Sequence, residues 1–481
     1  MSGADAVVLP AHRQRTREFF DRLAPERRAW KQRAPAYHAS MNCLLQSIIP
    51  PRRRVLEVGC STGELLAAVQ PSRGVGVDIS PKMLDLARRQ FPDLEFVEAD
   101  AHDLPLSEKF DYIIMSDVIG SLDDVQRAFG QLHKVTTPRS RVVITYYNKL
   151  WHPVIAAAEA LHLKSPMPPQ NWLTLRDIEN LLYLAGFEAV RRGRRMLLPA
   201  GIPLVTPVVN RFLANLPLLN ALCLIQYVVA RPIPRPAGDG SRALSVSVVV
   251  PTLNEAGNIG EAVNRVPAMG SHTEIIFIDG HSTDGTVEKI REAMATRPDR
   301  DIKFAFQDGK GKADAVFKGF DMATGDVLMI LDSDLTVPPE DLPKFYEALA
   351  SGAGEFINGC RLVYPMEEHA MRTLNYFANY FFSMAFTYLL GQPIKDTLCG
   401  TKALLRTDYE EIKRNRHFFG DFDPFGDFDL LFGAARLNLK IVDMPIRYRD
   451  RTYGDIKISR FRHGLLLLRM CAFAARKIKF I

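Results

Sequence analysis

Gly325-Asp-Val-Leu-Met-Ile-Leu-Asp-Ser-Asp334 is the stretch from which the rest of the chain can be read. Its apolar middle predicts a buried strand. Its end delivers two carboxylates, Asp332 and Asp334, at i and i+2, so both project from the strand end on one side. Two acids so placed do not both stay ionised without a cation. A hard divalent ion bridging two phosphate oxygens resolves the repulsion and stabilises a departing diphosphate. Alone, an Asp-x-Asp pair occurs in any acidic loop, and its weight comes from what precedes it. Residues 244–255 (LSVSVVVPTLNE) read as a buried strand breaking at Pro251 into a polar turn. Glu274-Ile-Ile-Phe-Ile-Asp279 is a second strand, running into Gly280-His-Ser-Thr-Asp-Gly285, and Gly309-Lys-Gly-Lys312 precedes a helix over 313–322.

Working outward, Pro232-Ile-Pro-Arg-Pro-Ala-Gly-Asp-Gly-Ser-Arg242 is dense in turn residues and reads as a linker over 232–243. Before it, Arg54-Val-Leu-Glu-Val-Gly-Cys-Ser-Thr-Gly63 is a strand entering a glycine-bearing turn and then a helix. Gly59 permits a tight turn against a ligand, and Gly63 permits close helix packing. Gly74-Val-Gly-Val-Asp78 is a strand ending in an acid suited to ribose hydroxyls, and Ser80 caps a helix that starts at Pro81. The dinucleotide fingerprint G-x-G-x-x-G, begun at Gly59, fails at Ser61 and Glu64. The pattern that fits is acid-x-Gly-x-x-x-Gly, with Glu57 before the turn. On both sides of the linker, short β-branched runs alternate with helical patterns, which predicts α/β units with mostly parallel sheets.

The 481 residues, 47% hydrophobic and 24% charged, exclude a disordered chain and call for more than one core. No run of 18 or more apolar residues is present, and the N-terminus, with Asp5, Glu18 and Asp21, lacks a secretory apolar region, so a cytoplasmic chain is expected. Six cysteines without a CxxC pair read as reduced thiols. The net charge of +6 suits phosphates or an anionic membrane surface and is too small to argue for nucleic acid.

The motif at Glu57–Gly63 resembles motif I of class I S-adenosylmethionine-dependent methyltransferases. Glu98-Ala-Asp100, the strand-like segments 110–117 and 141–145, Ala185-Gly186-Phe187 and the closing run 224–230 extend the resemblance over roughly 50–231. It implies S-adenosylmethionine held by Glu57, Gly59, Gly63, Asp78 and Asp100, the last at the adenine amino group. Ser61 stands where many members carry glycine. Asp117 lies near the reacting end, and as an acid at a strand end it equally suits a cap or loop anchor. A cofactor-binding module without turnover is the alternative for this half.

In the second half, "PTLNE", "IDGHSTDGT", "GKGKADA" and "DSD" together resemble family 2 glycosyltransferases of the GT-A fold. Asn358-Gly-Cys-Arg361, Asp396-Thr-Leu-Cys-Gly-Thr-Lys402 and residues 444–454 with Lys457 are most similar to dolichol-phosphate mannosyltransferases and related polyprenyl-phosphate sugar transferases. The resemblance implies a GDP- or UDP-sugar bound by Pro251, Glu255, Asp279, Lys312 and Asp332, and Mg2+ or Mn2+ on Asp332 and Asp334. It implies an acceptor phosphate on Arg361, Lys402, Arg451 and Lys457. Lys402 departs from the family's arginine, and Thr336 from an amide that serves some relatives as a third metal ligand. Asp334, Asp427 and Arg451 are the expected catalytic residues. A lipid phosphate is already anionic near neutral pH and needs no base, whereas a glycan hydroxyl would need one, for which Asp427 and Asp429 stand ready. Both acceptors fit, and Asp427 and Asp429 also suit a helix N-terminus.

The expected fold is therefore α/β with two Rossmann-like domains, a seven-stranded methyltransferase sheet and then a GT-A fold. A helical extension occupies 1–50, the first domain 51–231 and the second 244–481. The apolar helix over 369–390 and the basic amphipathic tail 460–481 suit peripheral contact at the inner face of the cell membrane. The apolar, proline-punctuated stretch 197–222 reads as a lid, a membrane-surface helix or core.

Overall fold

The computed structural model describes residues 10–234, 243–364, 373–415, 427–449, 451, 453 and 468–480, with side chains for all of these but 373–378 and 427. The chain divides into two compact units, Met1–Ile233 with Lys479–Ile481, and Pro234–Ile478.

The first unit is built on seven strands: β1 Arg54–Val58, β2 Arg73–Asp78, β3 Glu95–Glu98, β4 Tyr112–Ser116, β5 Arg141–Tyr147, β6 Phe187–Arg195 and β7 Ile225–Pro232. Their order is β3-β2-β1-β4-β5-β7-β6, with β7 antiparallel to both neighbours and the remaining pairs parallel. β4 is buried along its whole length, as a central strand covered on both faces must be. One face packs Leu56, Ile113 and Val142 against Phe129 and Leu182. The other packs Val55, Ile114 and Val143 against Met41, Leu44, Leu45 and Ile48. Those last four lie at helical spacing on helix Pro35–Ile48, each contributing roughly 1.5–3 kcal/mol by burial. The N-terminal helices are thus part of this core. Ser80 caps helix Pro81–Gln90 as expected, its hydroxyl accepting from the Met83 amide at 3.2 Å.

The second unit has β8 Val246–Thr252, β9 Thr273–Asp279, β10 Asp301–Phe306, β11 Val327–Ile330, β12 Phe356–Cys360, β13 Lys402–Leu405 and β14 Ile441–Pro445. Their order is β10-β9-β8-β11-β13-β12-β14, in which only β13 runs against its neighbours. Both units are α/β with mostly parallel sheets, the fold class read from the sequence. Beneath the second sheet, Phe386 of helix Thr373–Leu390 stacks on Phe432, with ring centroids 5.4 Å apart, and meets Phe428 at the same distance. Tyr380, Phe381 and Met384 on that helix are exposed. Of the C-terminal tail, residues 460–467 lie outside the described residues, while Met470 and Ala474 are buried in the same core as Phe386. Among the described residues no helix is long and apolar enough to cross a membrane.

Phe386→Ala removes a fully buried ring from a stacked cluster and is expected to destabilise the second unit by about 3–5 kcal/mol. Denaturant unfolding followed by circular dichroism measures this. A loss below about 1 kcal/mol would mean the cluster is not a core.

Candidate functional site

In the first unit the chain leaves β1 through Gly59 (φ 77°), Ser61 (φ 50°) and Gly63 (φ 79°). A Cβ on Gly59 would stand 2.6 Å from Val118 Cγ2, so the left-handed backbone and the close approach both require glycine there. Ser61 fits without the glycine many relatives carry. Its amide donates to Asp78 Oδ2 at 2.8 Å and its hydroxyl accepts from Arg27 Nε at 3.3 Å. Asp78, at the end of β2, also accepts from the Ser80 amide at 2.9 Å. Glu57 lies beneath the turn, where it accepts from the Leu66 amide at 3.1 Å, and burial pushes its pKa up to about 8.

Over this turn lies a cavity of about 360 Å³ lined by Gly59, Ser61, Asp78, Asp100 and Asp117 among others. Glu57 and Gly63, expected on the cofactor, are not in its lining and instead shape the turn behind it. The N-terminal helices complete the enclosure, which the sequence reading missed. Arg13 Nη1 donates to Asp100 Oδ2 at 2.8 Å, and Lys31 Nζ reaches Thr62 Oγ1 at 2.6 Å and Glu64 Oε2 at 2.5 Å. Arg13, Thr16 and Phe20, then Arg27, Lys31, Ala34 and His38, recur at helical spacing and face the cavity, a stripe of mixed chemistry visible in the letters.

Two acids of this lining, Asp100 and Asp117, differ in state. Burial pushes the Asp100 pKa up, but the hydrogen bonds and charges of His102 and Arg13 outweigh it and hold the pKa at about 2. Among the described residues Asp117 has only the Tyr37 hydroxyl on Oδ2 and no partner for its buried Oδ1, and burial pushes its pKa up to about 6. It adopts φ 54°, uncommon for a residue with a Cβ. An unsatisfied carboxylate oxygen on a cavity wall suits a donor carried by a ligand.

In the second unit β11 ends at Ile330, so Asp332 and Asp334 stand in the turn that follows and not in the strand itself. Their aim is therefore set by the turn and its partners, not by the pleat the sequence suggested. Lys312, first residue of helix Lys312–Met322, meets Asp332 Oδ1 at 2.6 Å. Arg451 Nη2 meets Asp334 Oδ2 at 2.5 Å, and its Nη1 lies 3.6 Å from Glu255 Oε1. Thr336 donates to Asp334 Oδ1 from its amide (3.2 Å) and hydroxyl (2.9 Å). Burial raises the Asp332 pKa, and the charges of Lys312, Lys402 and Arg361 more than reverse this, leaving it below the usual carboxylate range. Gly400 passes so close that a Cβ there would stand 2.2 Å from Lys312 Nζ and 2.3 Å from Asp332 Oδ2.

Nearby, Asp279 is fully buried at the end of β9 and accepts from the Ser282 amide at 2.8 Å and hydroxyl at 2.5 Å. Pro251 pairs with Ile278 in the β8–β9 register, and buried Glu255 accepts from Asn258 Nδ2 at 2.9 Å. Lys402 is a residue expected on the acceptor phosphate. It is buried in β13, and its Nζ is held by the Cys399 carbonyl at 2.5 Å and Asn358 Oδ1 at 3.1 Å. Arg361 is engaged through Nε and Nη2 by buried Asp396, at 2.7 and 2.9 Å, an ion pair whose acid the sequence reading did not single out. Lys457 and the side chain of Asp427 lie outside the described residues, and Asp429 is buried.

A family model described as glycosyl transferase family 2 matches residues 247–412, and one described as methyltransferase domain matches residues 13–192. The dolichol-phosphate mannosyltransferase of Pyrococcus furiosus is 38% identical over 112 residues, 23% of this chain and 31% of that protein. The undecaprenyl-phosphate 4-deoxy-4-formamido-L-arabinose transferase of Aeromonas hydrophila is 36% identical over 111 residues, 22% of this chain and 34% of that one. The chain spans about a third of the length of these two curated relatives. A solved S-adenosylmethionine-dependent methyltransferase of Thermotoga maritima overlays with a TM-score of 0.38 at 17% identity, covering 45% of this chain and 99% of its own.

Asp117→Asn keeps an acceptor for Tyr37 while removing the buried charge. It is expected to stabilise the first unit by roughly 2 kcal/mol at pH 7. A carboxyl whose folded pKa lies above its unfolded value is neutral in both states at low pH, so the gain fades as pH falls through about 6 toward about 3.9. Urea unfolding of both proteins across that range checks it, and equal stability at pH 7 would contradict it.

Proposed function

In a chain that carries a methyltransferase domain over residues 13–192 and a family 2 glycosyltransferase domain over residues 247–412, we propose that the second unit moves a hexose, with inversion, from a GDP- or UDP-sugar to a polyprenyl phosphate. The first unit, in the same reading, is a methyltransferase using S-adenosylmethionine. The observation that carries the reading is the meeting of Lys312 with Asp332 and of Arg451 with Asp334 just past β11. Such alternation of charge suits a ligand bearing both a diphosphate and polar sugar groups. The printed names of both curated relatives, one acting with dolichol phosphate and one with undecaprenyl phosphate, support the choice of acceptor.

Asp332 and Asp334 offer hard oxygen donors to Mg2+ or Mn2+. Among the described residues no group of three His, Cys, Asp or Glu side chains forms a closed cage, so the other ligands would be diphosphate oxygens and water, the manner in which Mg2+ is commonly held at substrate phosphates. When bound, the ion offsets the charge that develops on the departing nucleoside diphosphate. Around the donor, Pro251, Glu255 and Asp279 hold the nucleoside and Lys312 the phosphates. Arg451 orients the acceptor phosphate, with Lys457 assigned the same task. An acceptor oxygen forms a bond to the anomeric carbon as the bond to the diphosphate breaks with its electron pair. The attacking phosphate is already an anion, and no proton has to be taken from it.

In the first unit Gly59, Asp78 and Asp100 hold the cofactor, on a turn shaped by Glu57 and Gly63. Arg13 shares Asp100 with the incoming adenine. Methyl transfer leaves the electron pair of the broken bond on sulfur, and alignment in the cavity supplies most of the catalysis.

Purified protein, a panel of nucleotide sugars, Mg2+ or Mn2+ and polyprenyl phosphate test the second unit, with products read by mass spectrometry. Asp334→Asn is expected to lower transfer about a hundredfold or more, and an unchanged rate would sink the metal role. Gly400→Ala, which drives a methyl group into the Lys312–Asp332 pair, is expected to lower it at least about tenfold with little change in melting. Asp427→Asn is expected to leave the rate within about threefold, and its collapse would point to a hydroxyl acceptor that needs a base.

A further inference from the structure

The first unit carries a broad surface of exposed apolar residues beside its cavity. Leu204, Val208, Phe212, Leu216, Leu218 and Leu222 are all exposed, Leu204 by 85% and Leu218 by 88%. They are carried by helix Val205–Arg211, the turn Leu213–Asn215 and helix Pro217–Asn220, which adjoin one another, and by the residues flanking them. A second apolar stretch surrounds helix His152–Ala160, exposing Leu150, Val154, Leu161 and Leu163. The two are stitched together where Trp151 Nε1 donates to the Leu222 carbonyl at 2.7 Å and Asn148 Nδ2 to the Ala221 carbonyl at 3.0 Å. Monomeric proteins seldom expose an apolar surface of this extent without a use for it. Val154 and Leu163 are exposed by 53% and 70% and also line the cavity, so the apolar surface borders its mouth.

The charge around it is net positive, the one acid on helix His152–Ala160, Glu159, being paired with Lys164 at 2.7 Å. From residue 189 to 232 the chain has six arginines (191, 192, 194, 195, 211 and 231) and no Asp or Glu. Of these, Arg191 and Arg231 are buried and Arg192 is paired with Glu179 at 3.1 Å, while Arg211, beside Phe212, is exposed, as is Lys149 beside Leu150. Exposed leucines flanked by cations, with their one acid paired to a lysine, complement an anionic bilayer, where leucine enters the headgroup boundary and arginine meets lipid phosphate. A small water-soluble acceptor gains little from the apolar edge of the cavity at Val154 and Leu163.

We propose that this face seats the first unit on an anionic membrane surface and that its methyl acceptor is a membrane-borne amphiphile, entering head first between Val154 and Leu163 while its chain stays along the leucines. The proposal rests on the methyltransferase reading of this unit. In the transfer, a nucleophilic atom of the lipid head forms a bond to the methyl carbon of S-adenosylmethionine as the carbon–sulfur bond breaks onto sulfur, and the proton it carried passes to the Asp117 carboxylate.

The test uses the full chain, floated with vesicles of phosphatidylcholine alone or mixed with phosphatidylglycerol. Binding is expected to be at least about tenfold stronger with phosphatidylglycerol and to weaken as salt rises. The double variant Leu216→Asp, Leu218→Asp is expected to lose about tenfold or more of that binding, on the lost burial of two leucines. Its melting should be unchanged, because both side chains are exposed. Phe381→Ser with Met384→Ser, on the second unit, should change binding less than about threefold. Equal binding of the leucine variant, or equal binding to neutral vesicles, overturns the docking face. Labelled S-adenosylmethionine with a total lipid extract is expected to place methyl label in the chloroform phase, and label confined to the aqueous phase overturns the lipid acceptor. Calorimetry separates the two readings. Vesicle binding without S-adenosylmethionine binding removes the methyltransferase reading and leaves the face, whereas cofactor binding without vesicle binding removes the face alone.

Discussion

A carboxylate held at a strand end or in a loop beyond it, largely withdrawn from water, stays charged only if a cation or a set of hydrogen-bond donors meets it. Both units are organised by that demand. Asp332, Asp334 and Asp396 are met by Lys312, Arg451 and Arg361, and Asp78 and Asp279 by backbone amides, with a serine hydroxyl added at Asp279. Each partner comes from a different segment, so the ion pairs fix the loops at one edge of the sheet as they satisfy the charge. The approach of Gly400 to Lys312 and Asp332 leaves no room for a side chain, which ties glycine at that position to the pair beside it.

Where the demand is not fully met, the chemistry changes. Glu57 has a single amide donor and Asp117 a single hydroxyl, and burial raises the pKa of both. Glu57 is enclosed beneath the glycine turn and serves the turn's shape. Asp117 lies on the cavity wall with one oxygen unpartnered, so a ligand can complete what the protein leaves open. The same contrast separates Lys402 from Arg451: one is held by a carbonyl and an amide oxygen, the other lies between two acids in the turns past β8 and β11.

The fold was legible because its strongest signals are local. The runs at 54–58, 246–252 and 327–330 are too apolar to be anything but central strands, and Ser80-Pro81 states a helix start in two letters. What escaped was long-range or depended on depth. Arg13 meets Asp100 across 87 positions and Tyr37 meets Asp117 across 80, separations at which no periodicity connects the partners. Lys402 was assigned from its motif, which gives position along the chain and not depth, and the residue is buried. Asp332 and Asp334 were recognised by type and spacing, yet the pleat was the wrong source for their direction, since the strand ends before them.

The central claim is that Asp332 and Asp334 hold a divalent ion against the diphosphate of a sugar donor. Electron paramagnetic resonance of Mn2+, titrated into the full chain with and without GDP or UDP, addresses it without reference to turnover. The account predicts one tightly bound Mn2+ that appears only when the nucleoside diphosphate is present and disappears in Asp332→Asn and in Asp334→Asn. Binding that ignores the nucleotide, or that survives both substitutions, would contradict it.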